Sequence, residues 1–181
     1  MWSGGKDSTV LLHLIKDMHR NNFPFPIFFI DSGIEFKETY QFIKTVVNKW
    51  KLKIHTCRLS IKHRKMFINV KDGNRKFLRS LLTKHILQLT KELIYEHKLH
   101  CLIYGGRLDD ESPYRNKFFL KKDKTILAYP LRTFTEKDIW DYINKYNLPY
   151  VSLYKDGYRH IETIPFTAKP SSPVVPEARL F

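Results

Sequence analysis

The stretch Ser3-Gly4-Gly5-Lys6-Asp7-Ser8 decides how the rest of the chain is read. Two adjacent glycines let the backbone turn tightly and approach a ligand with no side chain in the way. Val10, Leu11, Leu14, Ile15 and Met18 then recur at helical spacing, so a helix is expected from about residue 8 to 20, ended by Asn21 and Asn22. Its N-terminus directs free amide groups back at the loop, which makes an anion cradle. Lys6 adds a mobile positive charge, Ser3 and Ser8 offer hydroxyl donors, and Asp7 can cap the helix or hold a metal. Small glycine loops also serve as plain turns. The spacing is not that of the Walker loop, which needs four residues between its glycines.

Working outward, Pro26-Ile27-Phe28-Phe29-Ile30 is a short apolar run bounded by turn-formers, the pattern of a strand buried on both faces of a parallel sheet. A helix follows through Tyr40, Ile43, Val46, Val47 and Trp50, and Lys53 to Arg58 is read as the next strand. The basic stretch from Lys62 to Lys76, with Asp72-Gly73-Asn74 inside it, is read as a loop. Leu82, Ile86, Leu89, Leu93 and Ile94 form one helical face leading to another buried strand, Cys101 to Tyr104, which ends on Gly105-Gly106. Thr135 and Asp138 precede Ile139, Trp140 and Ile143 in a variant of a helix N-terminal capping arrangement, and the spacing of Trp140 and the isoleucines marks them as core. Strands alternating with helices predict an α/β fold: an open, mostly parallel twisted sheet with helices on both faces. Residues 1–167 make one domain, and residues 168–181, with Pro170, Pro173 and Pro176, an extended tail.

The length of 181 residues suits one domain of ordinary size, and no apolar run approaches the roughly 18 residues needed to span a bilayer. Only two cysteines occur, Cys57 and Cys101, and no secretory leader pattern is present, which points to the reducing cytoplasm with both thiols as core residues. Lysine and arginine total 32 against 18 acidic residues, a net charge of +14. Such a field recruits anions without choosing among a nucleotide, sulfate and a nucleic acid backbone. The same charges can also do no more than solvate the surface.

The Ser3 to Ser8 loop resembles the SGGKDS loop of the PP-loop ATP pyrophosphatases, Rossmann-like proteins that bind ATP and cleave between its α- and β-phosphates. Phe29 to Thr39, with Asp31-Ser32-Gly33 inside it, resembles the second-strand segment of the phosphoadenylylsulfate (PAPS) reductase family, which also contains the small subunit of sulfate adenylyltransferase. Gly105-Gly106-Arg107-Leu108-Asp109-Asp110-Glu111-Ser112 with Arg115, then Tyr129-Pro130-Leu131, Phe134 to Trp140, and Leu153-Tyr154 with Gly157-Tyr158 are similar to its later motifs, in the expected order. The resemblance implies that Ser3, Gly4, Gly5, Lys6, Asp7 and Ser8 hold the phosphates of ATP, PAPS or adenylylsulfate, with Asp31, Ser32, Gly33, Gly105 and Gly106 facing the same crevice. Lys6, Arg107 and Arg115 would be catalytic, the arginines through planar, bidentate contacts with phosphate or sulfate. Asp7 and Glu111 are the candidate Mg²⁺ ligands; the plainer reading of Glu111 and its neighbouring aspartates is a solvated acidic turn.

The chain departs from that family in two places. Reductases use a nucleophilic cysteine near the C-terminus, and many carry cysteine pairs for an iron–sulfur cluster. The corresponding segments here, Asn74 to Arg79 and Arg159 to Thr167, contain none, and a [4Fe–4S] centre needs four thiolates, so no cluster is expected. Only Met1 and Trp2 precede the loop, where relatives supply a central strand. That first strand is missing, which implies a truncated or mis-started version of a longer chain, or a gap filled by a partner or rearranged segment. Three functions follow: adenylyl transfer from ATP to sulfate or another oxyanion, with a GTPase-type partner subunit by resemblance; ATP-dependent sulfur insertion into tRNA or DNA; or nucleotide binding without turnover.

Overall fold

The computed structural model describes residues 1–20, 22–68, 72–107 and 117–167. The apolar run after Pro26 forms β1 (Ile27–Asp31), which pairs in parallel with β2 (Ile54–Arg58), Ile27 opposite Ile54 and Asp31 opposite Arg58. Strand side chains alternate between faces, and here the alternation sorts the helices. Ile27 and Phe29 pack into a cluster with Leu12 of α1 (Lys6–Met18) and with Phe42, Ile43 and Val46 of α2 (Lys37–Trp50). Phe28 points the other way, against His55 and against His97 at the C-terminus of α4 (Arg75–Glu96). Helices thus cover both faces, and full burial of a side chain such as Phe29 is worth about 1.5–3 kcal/mol.

A second sheet has the order β3 (Cys101–Ile103), β5 (Thr125–Ala128), β4 (Phe119–Lys122). The β3–β5 pairing is parallel and the β5–β4 pairing antiparallel. Val10 and Leu11 of α1, Ile139 and Ile143 of α5 (Glu136–Lys145), Leu131 and Leu148 form a cluster against which Ile103 packs. Helix α5 starts on the expected signal: Thr135 accepts a hydrogen bond from the Asp138 amide, and Asp138 accepts one from the Thr135 amide.

The sheet is divided between β1 and β3, at the place of the strand expected to be missing. The Met1 nitrogen donates to the Ile103 carbonyl at 2.8 Å and the Trp2 amide to the Phe28 carbonyl at 2.9 Å, so these two residues bridge the halves. No strand of the described residues occupies that slot. Trp2, 2% exposed, covers part of the neighbouring apolar surface.

Other expectations need correction. The first helix begins at Lys6 and ends at Met18, because Gly5 takes the N-cap position. The basic stretch read as a loop contains α3 (Ile61–Ile68) and a 3₁₀ turn at Asp72–Asn74 before α4. Its anchor is Phe67, fully buried with Ile34, Leu59, Leu82 and Phe166. The β4–β5 hairpin was not foreseen. Cys101 is exposed and Cys57 half-buried, so neither is a core residue. The tail from residue 168 lies outside the described residues. No helix among the described residues is long and apolar enough to cross a membrane.

Candidate functional site

The loop between Trp2 and α1 is built by its own residues. Gly4 has φ +80°, a conformation side chains disfavour, and an added Cβ there would meet Ile43 Cγ1 at 3.1 Å. The Ser3 and Ser8 hydroxyls stand 3.0 Å apart, the Gly5 amide donates to Ser3 Oγ at 3.3 Å, and Ser8 Oγ donates to the Gly5 carbonyl at 3.0 Å. Gly105, just after β3, lies against the first turn of α1, close to the backbone of Asp7 and Ser8. The C-terminal end of β3 therefore lies against the N-terminus of α1, the position where open α/β sheets bind ligands and where a helix dipole favours anions.

A charged network surrounds the cradle. Lys6 is 1% exposed; its ammonium donates to the Arg159 carbonyl at 3.0 Å, pairs with Asp7 at 3.4 Å, and lies 3.8 Å from Glu136. Its amide donates to the Tyr154 hydroxyl at 3.2 Å. Arg107, also 1% exposed, pairs with Asp7 at 2.6 Å, and Arg132 donates to the Arg107 carbonyl at 2.6 Å. Arg159 in turn pairs with Glu136 at 2.6 Å. Burial would raise the Glu136 carboxyl, but the hydrogen bond from Arg159 and the charges of Lys6, Arg159 and Arg107 hold it below the ordinary carboxylate range.

A second polar cluster centres on Asp31 at the C-terminal end of β1. Its carboxylate accepts from the Tyr40 hydroxyl at 2.6 Å, the Gly33 amide at 2.8 Å and Arg58 Nε at 3.1 Å. Burial works against its charge, yet these hydrogen bonds and nearby Arg64 keep its pKa below the usual value. Gly33 has φ +79°, and a Cβ there would collide with the Arg64 side chain. Ser32 donates to Glu35 at 2.6 Å. Burial, with the Asp31 charge adding, pushes the Glu35 carboxyl up to about 7 despite the Ser32 bond.

The structure thus brings together Ser3, Gly4, Gly5, Lys6, Asp7, Ser8, Gly105 and Arg107, and sets Asp31, Ser32 and Gly33 at the end of β1; Gly106 follows Gly105 beyond β3. Arg115 and Glu111 lie outside the described residues. Sequence reasoning gave no site role to Glu136, Tyr154, Arg159 and Arg132 around the cradle, nor to Tyr40, Arg58 and Glu35 beside Asp31.

A family described as the phosphoadenosine phosphosulfate reductase domain matches residues 1–169. The chain belongs to that family. Among PAPS reductase relatives, it is 31% identical over 179 residues to the adenosine 5'-phosphosulfate reductase of Staphylococcus haemolyticus, an alignment covering 92% of this chain and 68% of that protein. It is 25% identical to sulfate adenylyltransferase subunit 2 of Azospirillum brasilense, over 85% of this chain and 59% of the relative, so it spans about three-fifths of that subunit. Among solved structures, the Candida auris PAPS reductase in its phosphate complex superposes with a TM-score of 0.72 at 17% identity, over 92% of this chain and 82% of that one. The Candida glabrata FMN adenylyltransferase gives 0.62 at 21%, over 90% and 51%. These two likenesses show the Rossmann-like α/β fold. The PAPS reductase family includes relatives named both as reductases and as adenylyltransferase subunits, and the chain is similar to both.

Proposed function

We propose that the chain binds ATP on the Ser3 to Ser8 loop and transfers its adenylyl group to sulfate or another oxyanion, releasing pyrophosphate. The observation that carries this reading is how the cradle is furnished. Buried Lys6 and Arg107, hydroxyls and helix amides converge there. Both thiols of these 181 residues lie elsewhere: Cys101 begins β3 at the opposite end from the cradle, and Cys57 lines a cleft with α4 residues. An acceptor oxygen attacks the α-phosphorus, the bond from that phosphorus to the bridging oxygen breaks, and its electron pair leaves with pyrophosphate. No protein nucleophile is needed. Lys6, Arg107 and the loop amides neutralise the charge that develops on the leaving group, and Arg115 is assigned the same task.

Asp7 is a hard oxygen donor at the loop, which suits Mg²⁺ carried by the nucleotide, and Glu111 is the second carboxylate assigned to it. When bound, the ion would add Lewis-acid neutralisation of the phosphates. For its part, this chain must let Asp7 turn from Arg107 and Lys6. Likeness to proteins named subunit 2 supports a partner subunit, of the GTPase type that the resemblance implies. The net charge of +14 supports the alternative of ATP-dependent sulfur insertion into tRNA or DNA.

The test is pyrophosphate release from ATP and Mg²⁺, with and without sulfate, beside a titration with PAPS. Sulfate-dependent release that falls about 100-fold in Lys6→Ala is expected. Tight PAPS binding with no pyrophosphate released under any acceptor would replace adenylyl transfer by a binding module.

A further inference from the structure

The β4–β5 hairpin presents a surface that the crevice does not use. In its register Lys121 faces Ile126 and Phe119 faces Ala128, so these four side chains share one side of the sheet. Cys101, opposite Ile126 on β3, joins them. Ile103, opposite Ala128, packs against the α1 and α5 cluster, so that part of the face is covered. The rest is open: Ile126 is 44% exposed and Phe119 70%, whereas Phe118, one residue earlier and just before β4, faces the other side. The run Lys117-Phe118-Phe119-Leu120-Lys121-Lys122-Asp123-Lys124 holds four exposed lysines against one aspartate.

β4 is the outer strand of its sheet. Lysines on an outer strand commonly guard against edge-to-edge pairing, which accounts for Lys121 and Lys122 but not for the open phenyl ring of Phe119 beside them. Pairing of two copies along β4 would set these lysines against each other. Phe119 and Lys121 stand about 7 Å apart along the strand, a ring followed by an ammonium. Stacking platforms interleaved with cations are what an extended polyanion of unpaired bases requires, and a duplex offers the rings no free base face. The chain's charge of +14 complements such a ligand.

We propose that this hairpin docks a single-stranded nucleic acid, Phe119 stacking on a base with Lys121 beside it on the same face, while Lys117, Lys122 and Lys124 along the outer strand and its turn meet neighbouring phosphates. The inference does not depend on the adenylyl-transfer reading. It is tested by fluorescence anisotropy of a labelled 20-nucleotide oligouridine titrated with the full chain from 50 to 200 mM salt. Phe119→Ala should weaken binding about tenfold. Lys121→Ala with Lys122→Ala should lower the slope of log affinity on log salt by about 1.4. ATP binding, measured in parallel, should stay unchanged in both variants and shows that they fold. The proposal is overturned by wild-type affinity in the hairpin variants, by equal preference for a 20-base-pair duplex, or by binding to vesicles of phosphatidylserine and phosphatidylcholine without binding to oligouridine. Hairpin-dependent dimers that ignore the oligonucleotide would overturn it as well.

Discussion

Replacing Gly105 by alanine puts the crevice architecture to a direct test. An added Cβ would stand 2.9 Å from both Cα and N of Ser8 and 3.1 Å from the carbonyl carbon of Asp7, where ordinary contact begins at 3.4 Å. All three are backbone atoms in the first turn of α1, so no rotamer change relieves the clash. The helix and the end of β3 must separate by about half an ångström, disturbing the packing of Val10 and Leu11 beneath. Overpacking of this kind costs about 1–3 kcal/mol. At about 2 kcal/mol the folded-to-unfolded ratio falls roughly 30-fold. Because the same movement shifts the amides of the cradle, ATP affinity should drop about tenfold or more, in line with the sensitivity of sites to misplacements of an ångström. Urea unfolding followed by circular dichroism should show a lower midpoint with an unchanged m-value. Gly73→Ala, with nothing within 4 Å of the added methyl, is the control and should unfold within about 0.5 kcal/mol of wild type. If Gly105→Ala matches that control in both stability and ATP affinity, the close approach of β3 to α1 is wrong.

Glu35 gives a pH signature, since its carboxyl is raised from 4.5 to about 7. Between those values the folded chain keeps a proton that the unfolded chain has lost, so stability falls as pH rises through the window. The shift corresponds to at most about 3 kcal/mol, and partial solvent access reduces this to about 1–2 kcal/mol. Glu35→Gln should flatten that fall, which urea midpoints at pH 5 and pH 8 will show; parallel wild-type and variant curves would contradict the assignment. Thr135→Ala removes the cap of α5 and should cost about 1 kcal/mol, a drop of about 2–4 °C in thermal midpoint by calorimetry. An unchanged midpoint would show that the capping hydrogen bonds contribute nothing.

Local signals were readable where chain neighbours do the work. The apolar run of β1 and the Thr135 to Asp138 cap are contiguous patterns, and the Ser3 to Ser8 loop carries its glycines, lysine and hydroxyls within six residues. Helix α3 was hidden because Lys62, His63, Arg64 and Lys65 leave Phe67 as its single buried anchor, and only tertiary packing reveals it. The β4–β5 hairpin was hidden by its lysines. At the site, Tyr154 meets the Lys6 amide across 148 positions and the Arg159 carbonyl meets its ammonium across 153, separations that no periodicity announces. Gly105 was legible as a glycine after a strand, but its backbone approach to Ser8 appears only in three dimensions.

The setting of two indoles has an optical consequence. Trp2 donates through its ring nitrogen to Thr9 at 3.1 Å, one residue beyond the loop. Trp140 sits edge-on to Tyr154 at 5.5 Å, and the hydroxyl of that tyrosine holds the Lys6 amide. Trp50, the last residue of α2, neighbours His13 and Lys16 instead. Two of the three tryptophans thus touch residues that fix the same turn of backbone, Trp2 directly and Trp140 through Tyr154. The molecule carries its own emission gauge for movement of that turn, with no dye to attach.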